Sequence, residues 1–456
     1  MSLKQTLFDV LNHKSVDKLP WVPFAGVHAG KFLGYDAEEL LKDKEKLLAA
    51  LLEVNKLYKP SGQPVVFDLQ LEAEILGCEL VWAKDGPPSV KTHPLAEIDT
   101  VPCQCQLPTA QDGRLPIVLE VMREMKTRVG ETTALYGPIC GPFTLASHLR
   151  GNDIFMDMFD DEDYVKELLA YCTAVAKRMA DLFIEAGMDV IPVVDPLVSQ
   201  ISSDHFEMFL SGPFTDLFAH IKEKGAYSSF FVCGNATRNI EVMCQTRPDS
   251  ISVDENVDLV AAKHITDTYH ITIGGNIPLT SIMLHGTQQD NMKYVVDLID
   301  RIEDKSHLII APGCDMPYDV PVENGIAVAQ AVSETESVRE MLQNYVVEED
   351  AIEVDLPDYT ALKKPFVEVF TLDSATCAAC TYMMAAANQA SQEYGDKIDV
   401  TEYKFTLKEN IARCKKMGVT NLPSIYINGQ LKFSSIIPSK EALNTAIDAA
   451  AEALNK

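Results

Sequence analysis

Two cysteines of this 456-residue chain each stand just beyond a short apolar segment, with a glycine beside them. Residues 228–232 lead into Cys233, and residues 307–312 lead in the same way into Cys314. Both segments have the apolar composition of buried parallel strands, and α/β folds place their chemistry at the carboxyl ends of such strands. We therefore expect the two thiols to meet over one pocket.

A second pair, Cys377 and Cys380, has the spacing C-x-x-C between a predicted strand and a predicted helix. The free N–H groups at a helix N-terminus stabilise a thiolate, so we expect Cys377 to attack and Cys380 to resolve. Pro423 stands directly before a strand, where proline is unusual unless it forms a special turn. We predict a cis peptide bond at Pro423 and count this residue among the binding positions.

Polar residues follow several other predicted strands. Asp68 and Asp195 are predicted to be catalytic acids, and Cys140, which also stands beside a glycine, is a candidate soft metal ligand. Three positions are predicted to contact a cofactor: Asn235, Asp254 and Asn276. A strand-end aspartate also has a purely structural alternative, because it can cap a neighbouring helix.

Strand-like and helix-like segments alternate over roughly the first 340 residues, in close to eight pairs. No glycine-rich dinucleotide fingerprint follows any predicted strand, so an α/β fold of the (β/α)₈ TIM barrel type is favoured over an open doubly wound sheet. The first strand is predicted at residues 21–24. The clearest helix is predicted at 160–186, where an acidic first turn precedes an apolar face that ends at a glycine.

An acidic stretch separates the chain into two predicted domains. Residues 1–345 form the barrel, residues 346–362 form the linker, and residues 363–456 form a smaller α/β domain with the C-x-x-C motif. In the smaller domain, Asn428 and Gly429 predict a tight hairpin turn between two strands.

The composition limits the classes of partner. The formal net charge of −28 argues against nucleic acid and against an anionic membrane surface. No signal peptide and no apolar run long enough for a membrane span are apparent. Eleven cysteines scattered over a long chain do not resemble a secreted disulfide framework, so the predicted location is the cytoplasm.

Five sequence segments resemble the uroporphyrinogen decarboxylase superfamily: GPFTLAS at 141–147, CGNAT at 233–237, GNIP at 275–278, LHGT at 284–287 and PGCDMPYDVPVEN at 312–324. The resemblance covers nearly all of residues 1–340 and implies a (β/α)₈ barrel with its site at the carboxyl face. The C-x-x-C motif, GVTNLPSIYING at 418–429 and IPSKE at 437–441 are similar to thioredoxin-like redox proteins.

The superfamily implies two chemistries. Decarboxylation of uroporphyrinogen requires arginines near the N-terminus to hold the carboxylate arms, and residues 21–31 contain none, although Asp68 matches the decarboxylase's essential aspartate. Corrinoid-dependent methyl transfer instead uses zinc, held by His-x-Cys and a distant Cys, to activate a thiol. Cys233 and Cys314 match those two cysteines, but Phe231 occupies the histidine position.

The third zinc ligand therefore remains open in the sequence. Cys140 is the preferred candidate, and the alternatives are His148, Asp195, His205, Glu72 and Glu74.

We predict a corrinoid-dependent methyltransferase with zinc, which moves a methyl group between cobalamin on a partner corrinoid protein and a small thiol or other methyl carrier. The alternatives are a decarboxylase-like enzyme, and a thiol/disulfide redox protein whose barrel only binds. The sequence leaves open whether the C-x-x-C domain serves the barrel.

Overall fold

The computed structural model describes residues 2–98, 100–347, 352–375 and 377–454. The chain forms two compact units, and the first of them ends at Val347. The part of the chain described contains no helix long and apolar enough to cross a membrane.

The first unit is a ring of parallel strands. Among the described residues the strands follow the chain order around the sheet: Gly62–Pro64, Ala134–Tyr136, Val190–Val194, Tyr227–Val232, Ser250–Val253, Thr272–Ile277 and Leu308–Pro312. A further short strand, Ile139–Cys140, pairs with Val190–Val194.

The segment at Trp21 closes this ring. The Val22 N–H donates to the Ile310 carbonyl at 3.0 Å, and the Ser61 N–H donates to the Trp21 carbonyl at 2.8 Å. Seven strands and this segment give eight positions, which confirms the predicted barrel. The predicted first strand is reduced to a single bridge at Trp21, because the prolines on either side of Trp21-Val22 cannot donate to a ladder.

Helices connect the strands of the barrel: Leu3–Leu11, Ala37–Lys42, Lys44–Tyr58, Leu71–Ile75, Leu115–Val129, Pro142–Arg150, Ile154–Asp160, Glu162–Glu185, Ser211–Glu223, Ile240–Gln245, Leu259–Thr268, Gln288–Arg301, Val322–Ser333 and Thr335–Met341. The helix predicted at 160–186 is present but begins at Glu162. The Asp161 side chain caps it by accepting from the Tyr164 N–H at 3.1 Å, so the chain before Asp161 forms a separate helix.

Aromatic rings fill the barrel interior. Phe231 is fully buried and lies 4.7 Å from the ring of Phe24 and 5.9 Å from the ring of Phe67, measured between centroids. These rings belong to an apolar cluster against which Cys233 and Cys314 also pack. The two cysteines therefore stand directly above the hydrophobic filling of the barrel.

The second unit is a four-stranded mixed sheet with three α-helices among its described residues. Its strands are ordered Asp399–Lys404, Phe366–Thr371, Ser424–Ile427 and Gln430–Ser434, and its helices are Ala378–Tyr394, Lys408–Met417 and Lys440–Leu454. Asn428 and Gly429 both have positive φ in the predicted hairpin turn, and the Leu422–Pro423 peptide bond is cis as predicted.

Part of the predicted linker belongs to this second unit. Lys416 donates to the Val354 carbonyl at 2.6 Å, and Arg413 donates to the Asp355 carbonyl at 3.3 Å. Arg413 is itself held by the buried carboxylate of Glu368 at 2.6 Å. Residues 354 and 355 of the predicted linker, 346–362, therefore contact the second unit.

Candidate functional site

The two strand-end cysteines of the barrel meet. Cys233 follows Tyr227–Val232, Cys314 follows Leu308–Pro312, and their sulfurs are joined in a disulfide with the Cα atoms 5.8 Å apart. Both residues are half-buried. The pair therefore marks a site at the carboxyl face of the barrel, and in the disulfide form it has no thiolate to offer a metal.

A loop that carries two acids holds the two arms of this disulfide together. The backbone N–H of Gly234, beside Cys233, donates to Asp254. A Cβ on Gly313, beside Cys314, would lie 2.7 Å from the Glu255 backbone nitrogen. Only glycine permits that approach at 313, and Gly234 has a φ of 89°, a backbone conformation that also favours glycine.

Several carboxyl groups around the barrel mouth have raised pKa values. Burial raises the pKa of Glu255 to about 8, with a further contribution from the charge of Asp254. Burial likewise raises the pKa of Asp315 to about 8, and Asp68 adds to the effect. Both Glu255 and Asp315 keep part of their surface exposed, so a bound molecule can reach them. Neither residue was predicted, although Asp315 directly follows Cys314.

Asp68 lies in a buried ion-pair network. Its carboxylate is 2.7 Å from the guanidinium of Arg114, which also contacts Glu74 at 2.7 Å. Burial raises the pKa of the neighbouring Glu72 to about 8. Because Arg114 is neutralised by two carboxylates, it is not a spare cation for an anionic substrate.

Asp195 serves the backbone of a helix. Its carboxylate accepts hydrogen bonds from the N–H groups of Phe143 and Thr144, at 2.9 and 3.0 Å, and from the Thr144 hydroxyl at 2.6 Å. Burial nevertheless raises the pKa of Asp195 to about 7. A Cβ on Gly141 would lie 2.4 Å from this carboxylate. Asp195 therefore caps the N-terminus of helix Pro142–Arg150, which is the structural role that a strand-end aspartate can have instead of catalysis.

The side chains of the predicted binding residues Asn235 and Asn276 form hydrogen bonds with residues of the loops that follow the strands. Asn276 donates to the carbonyls of Asp254 and Val257 at 2.9 and 2.7 Å. Asn235 accepts from the N–H and hydroxyl of Thr237 at 3.1 and 2.6 Å. Asn276 thereby supports the loop that carries Asp254 and Glu255, on which the cysteine pair rests.

The residues present do not fit a zinc site of the expected kind. No group of three or more His, Cys, Asp or Glu residues with the arrangement of metal ligands occurs in the described ranges. Phe231, at the position of the family histidine, is an apolar core residue. Cys140 is buried, and among the described residues it forms no ligand group with the barrel cysteines.

Two further candidates for the third ligand are also placed elsewhere. His148 is buried with neither ring nitrogen hydrogen bonded, and burial lowers its pKa to about 3. The ring of His205 packs edge-on against Phe159, with 4.9 Å between centroids. Neither histidine is brought into a ligand group with the cysteine pair.

The second unit presents an asymmetric dithiol. Cys377 is half-buried, carries a free thiol and is the N-cap residue of Ala378–Tyr394. Cys380 is buried, and its sulfur accepts from the Leu372 N–H at 3.3 Å. Burial raises the pKa of the Cys380 thiol well above its usual range, and hydrogen bonding to Cys377 adds to the effect. Only the first of the two sulfurs is therefore accessible to another molecule.

Comparison with known proteins agrees with this architecture. The family model described as "Uroporphyrinogen decarboxylase (URO-D)" matches residues 2–335, and a thioredoxin domain model matches residues 367–448. The methylcobamide:CoM methyltransferase MtbA of Methanosarcina acetivorans is 27% identical over 330 residues, which cover 70% of this chain and 94% of that protein. The methylcobamide:CoM methyltransferase MtaA of Methanosarcina barkeri is 28% identical over 353 residues, which cover 73% and 98%.

A solved structure shares the barrel fold. The methyltransferase from Methanosarcina mazei superposes with a TM-score of 0.66 at 24% identity, and the match covers 74% of this chain and 99% of that one. The similarity in sequence to MtbA and MtaA along nearly their whole length supports methyltransferase activity. Since the family model covers well over half of the sequence, the chain belongs to the uroporphyrinogen decarboxylase family and carries a C-terminal thioredoxin domain.

Proposed function

We propose that the barrel transfers a methyl group between a methylcobamide, carried by a corrinoid protein, and a small thiol. The observation that carries this proposal is the meeting of Cys233 and Cys314 at the carboxyl face of a barrel whose relatives are methylcobamide:CoM methyltransferases. The attached domain acts as a dithiol redox domain through Cys377 and Cys380.

The carboxyl groups of the barrel mouth supply the proton chemistry in this proposal. A thiol must lose its proton before its sulfur attacks a methyl group, and a base that titrates near the working pH is best suited to accept it. Asp315 and Glu255, with pKa values of about 8, meet that requirement. Asp315 is the preferred acceptor because it is adjacent to Cys314 in the chain.

Zinc remains a prediction from the resemblance. A reduced Cys233–Cys314 pair would supply two thiolate ligands, whereas a zinc site in proteins is nearly always four-coordinate. We assign no step of the reaction to a metal.

Decarboxylation is disfavoured by charge. Residues 21–31 contain no arginine, and Arg114 is occupied by Asp68 and Glu74. A substrate with several carboxylates would therefore find no bidentate partner at these positions.

The proposal is tested with the reduced full-length protein, methylcobalamin and a panel of neutral and anionic thiols that includes coenzyme M. Demethylation of the cobalamin is followed by its visible absorbance, and the methylated thiol is identified by mass spectrometry. We expect thiol-dependent methyl transfer that Cys233→Ser and Cys314→Ser abolish. Coproporphyrinogen formation from uroporphyrinogen would favour the decarboxylase, and disulfide reduction with neither activity would favour the redox protein.

A further inference from the structure

The two cysteine pairs of this chain are in opposite redox states. Cys233 and Cys314 form a disulfide, while Cys377 and Cys380 are free thiols. The oxidised pair lies at the proposed methyl-transfer site, and the reduced pair lies in a thioredoxin domain. A dithiol and a disulfide are the two reactants of thiol–disulfide exchange.

We propose that the thioredoxin domain has a specific substrate, and that this substrate is the Cys233–Cys314 disulfide of its own chain. The exchange returns the barrel pair to two thiols. This inference rests on the proposed function in one respect, which is that the reduced pair then serves methyl transfer. The exchange itself involves only the cysteine sulfurs.

The reaction proceeds through one mixed disulfide. The Cys377 thiolate attacks one sulfur of the barrel pair, the barrel S–S bond breaks, and the other barrel sulfur leaves as a thiolate that takes up a proton. Cys380 then loses its proton and attacks the Cys377 sulfur, which releases the second barrel thiolate. Two electrons and two protons have moved to the barrel, and Cys377 and Cys380 are joined. An external dithiol reductant resets them for the next turnover.

The exposure of the sulfurs fixes these roles. Cys377 is half-buried at a helix N-terminus, where another molecule can reach its sulfur, whereas Cys380 is buried and hydrogen bonded to Cys377. Both barrel cysteines are half-buried, so their disulfide is open to attack at the mouth. The remaining buried cysteines of the described chain are shielded: Cys78, Cys140, Cys172, Cys244 and Cys414.

The two cysteine pairs belong to one chain. Their covalent connection gives an effective concentration on the order of millimolar for a short flexible tether.

The test is a single-turnover experiment on the full-length chain. The protein is oxidised at both pairs and freed of oxidant, and a limiting amount of dithiothreitol is then added. Samples are quenched in acid and alkylated, and the alkylated fractions of Cys233 and Cys314 are measured by peptide mapping. In wild type we expect reduction of the barrel pair to lag behind Cys377. In Cys377→Ser we expect it to be about tenfold slower or more.

A second variant gives a positive signal. In Cys380→Ser the resolving sulfur is missing, so we expect a trapped disulfide that links Cys377 to Cys233 or Cys314, in a yield independent of protein concentration. The matched control is the double variant Cys103→Ser/Cys105→Ser, which removes two exposed thiols elsewhere in the chain. It should change neither the rate at which the barrel pair is reduced nor the yield of the trapped disulfide.

Equal rates in wild type and Cys377→Ser, together with no such linked peptide in Cys380→Ser, would overturn the proposal. Folding of each variant is checked by thermal denaturation. The experiment measures only the oxidation state of the cysteines, so disulfide exchange can be established even if the protein transfers no methyl group. Methyl transfer without exchange would refute the exchange proposal and leave the proposed methyltransferase function standing.

Discussion

The substitution Phe231→His tests why this barrel lacks a metal ligand set. Phe231 lies on the strand Tyr227–Val232 and Cys233 directly follows that strand, and both side chains pack in the same apolar cluster. A histidine at 231 would therefore extend towards the same side as Cys233. We expect the reduced variant to bind zinc more tightly than the reduced wild type.

The cost of this substitution follows from the packing of Phe231. Its ring contacts two other rings, those of Phe24 and Phe67, and each aromatic pair is worth about 0.5–1.5 kcal/mol. Burial of an imidazole without a hydrogen-bond partner costs about 1–3 kcal/mol more. The free energy of unfolding of the metal-free variant should thus fall by roughly 2–6 kcal/mol. Zinc at about 100 times its Kd would return about 2.7 kcal/mol.

The assay combines urea denaturation with zinc titration of the reduced protein. Phe231→Leu is the matched control, because it loses the ring contacts but offers no nitrogen. It should lose about 1–3 kcal/mol and gain no zinc affinity. If Phe231→His binds zinc no better than wild type, Phe231 is not what keeps the site from forming, and the reasoning fails.

Three further predictions follow from the site. In Gly313→Ala the new Cβ would lie 2.7 Å from the Glu255 backbone nitrogen, so the free energy of unfolding measured in urea should fall by about 1–3 kcal/mol. The control Gly212→Ala has open space around the new Cβ and should not lower the free energy of unfolding. The folded-state pKa of Asp195, about 7, exceeds the usual value of about 4, so its contribution to stability should decline as pH rises from about 4 to 7; denaturation curves of Asp195→Asn should lack that part of the decline. If Asp315 accepts the thiol proton, the methyl-transfer rate should rise with pH through about 8, and a pH–rate profile of Asp315→Asn that keeps this rise would exclude the role.

The sequence predicted the elements better than the roles of single side chains. Strand–helix alternation indicated the barrel, and C-x-x-C, Asn428-Gly429 and Pro423 predicted local features of the second domain, because each depends on a few adjacent residues. The face of the sheet to which a side chain points changes if its strand is shifted by one residue, and composition does not locate a strand that accurately. Cys140 was therefore grouped with Cys233 and Cys314, although the described residues contain no such ligand group.

Loop acids were missed for a related reason. Glu255 and Asp315 stand one residue beyond positions that attracted attention, Asp254 and Cys314. Their raised pKa values come from burial, which depends on how distant segments of the chain assemble; the Asp315 carboxylate, for example, accepts from the Gly26 N–H at 2.8 Å. Asp195 illustrates the opposite case, since a strand-end acid with a raised pKa makes three hydrogen bonds to the start of one helix.

Phe231 and the thioredoxin domain have a common explanation. A metal that holds both thiolates of a cysteine pair keeps their lone pairs engaged, and the third ligand secures that metal. If Phe231 stands where the resemblance places the zinc-binding histidine, the reduced pair is without this protection. The Cα atoms of Cys233 and Cys314 are 5.8 Å apart, within the range that a disulfide requires, so unprotected thiols can oxidise without movement of the backbone. In the exchange that we propose, the dithiol domain of the same chain returns this pair to two thiols.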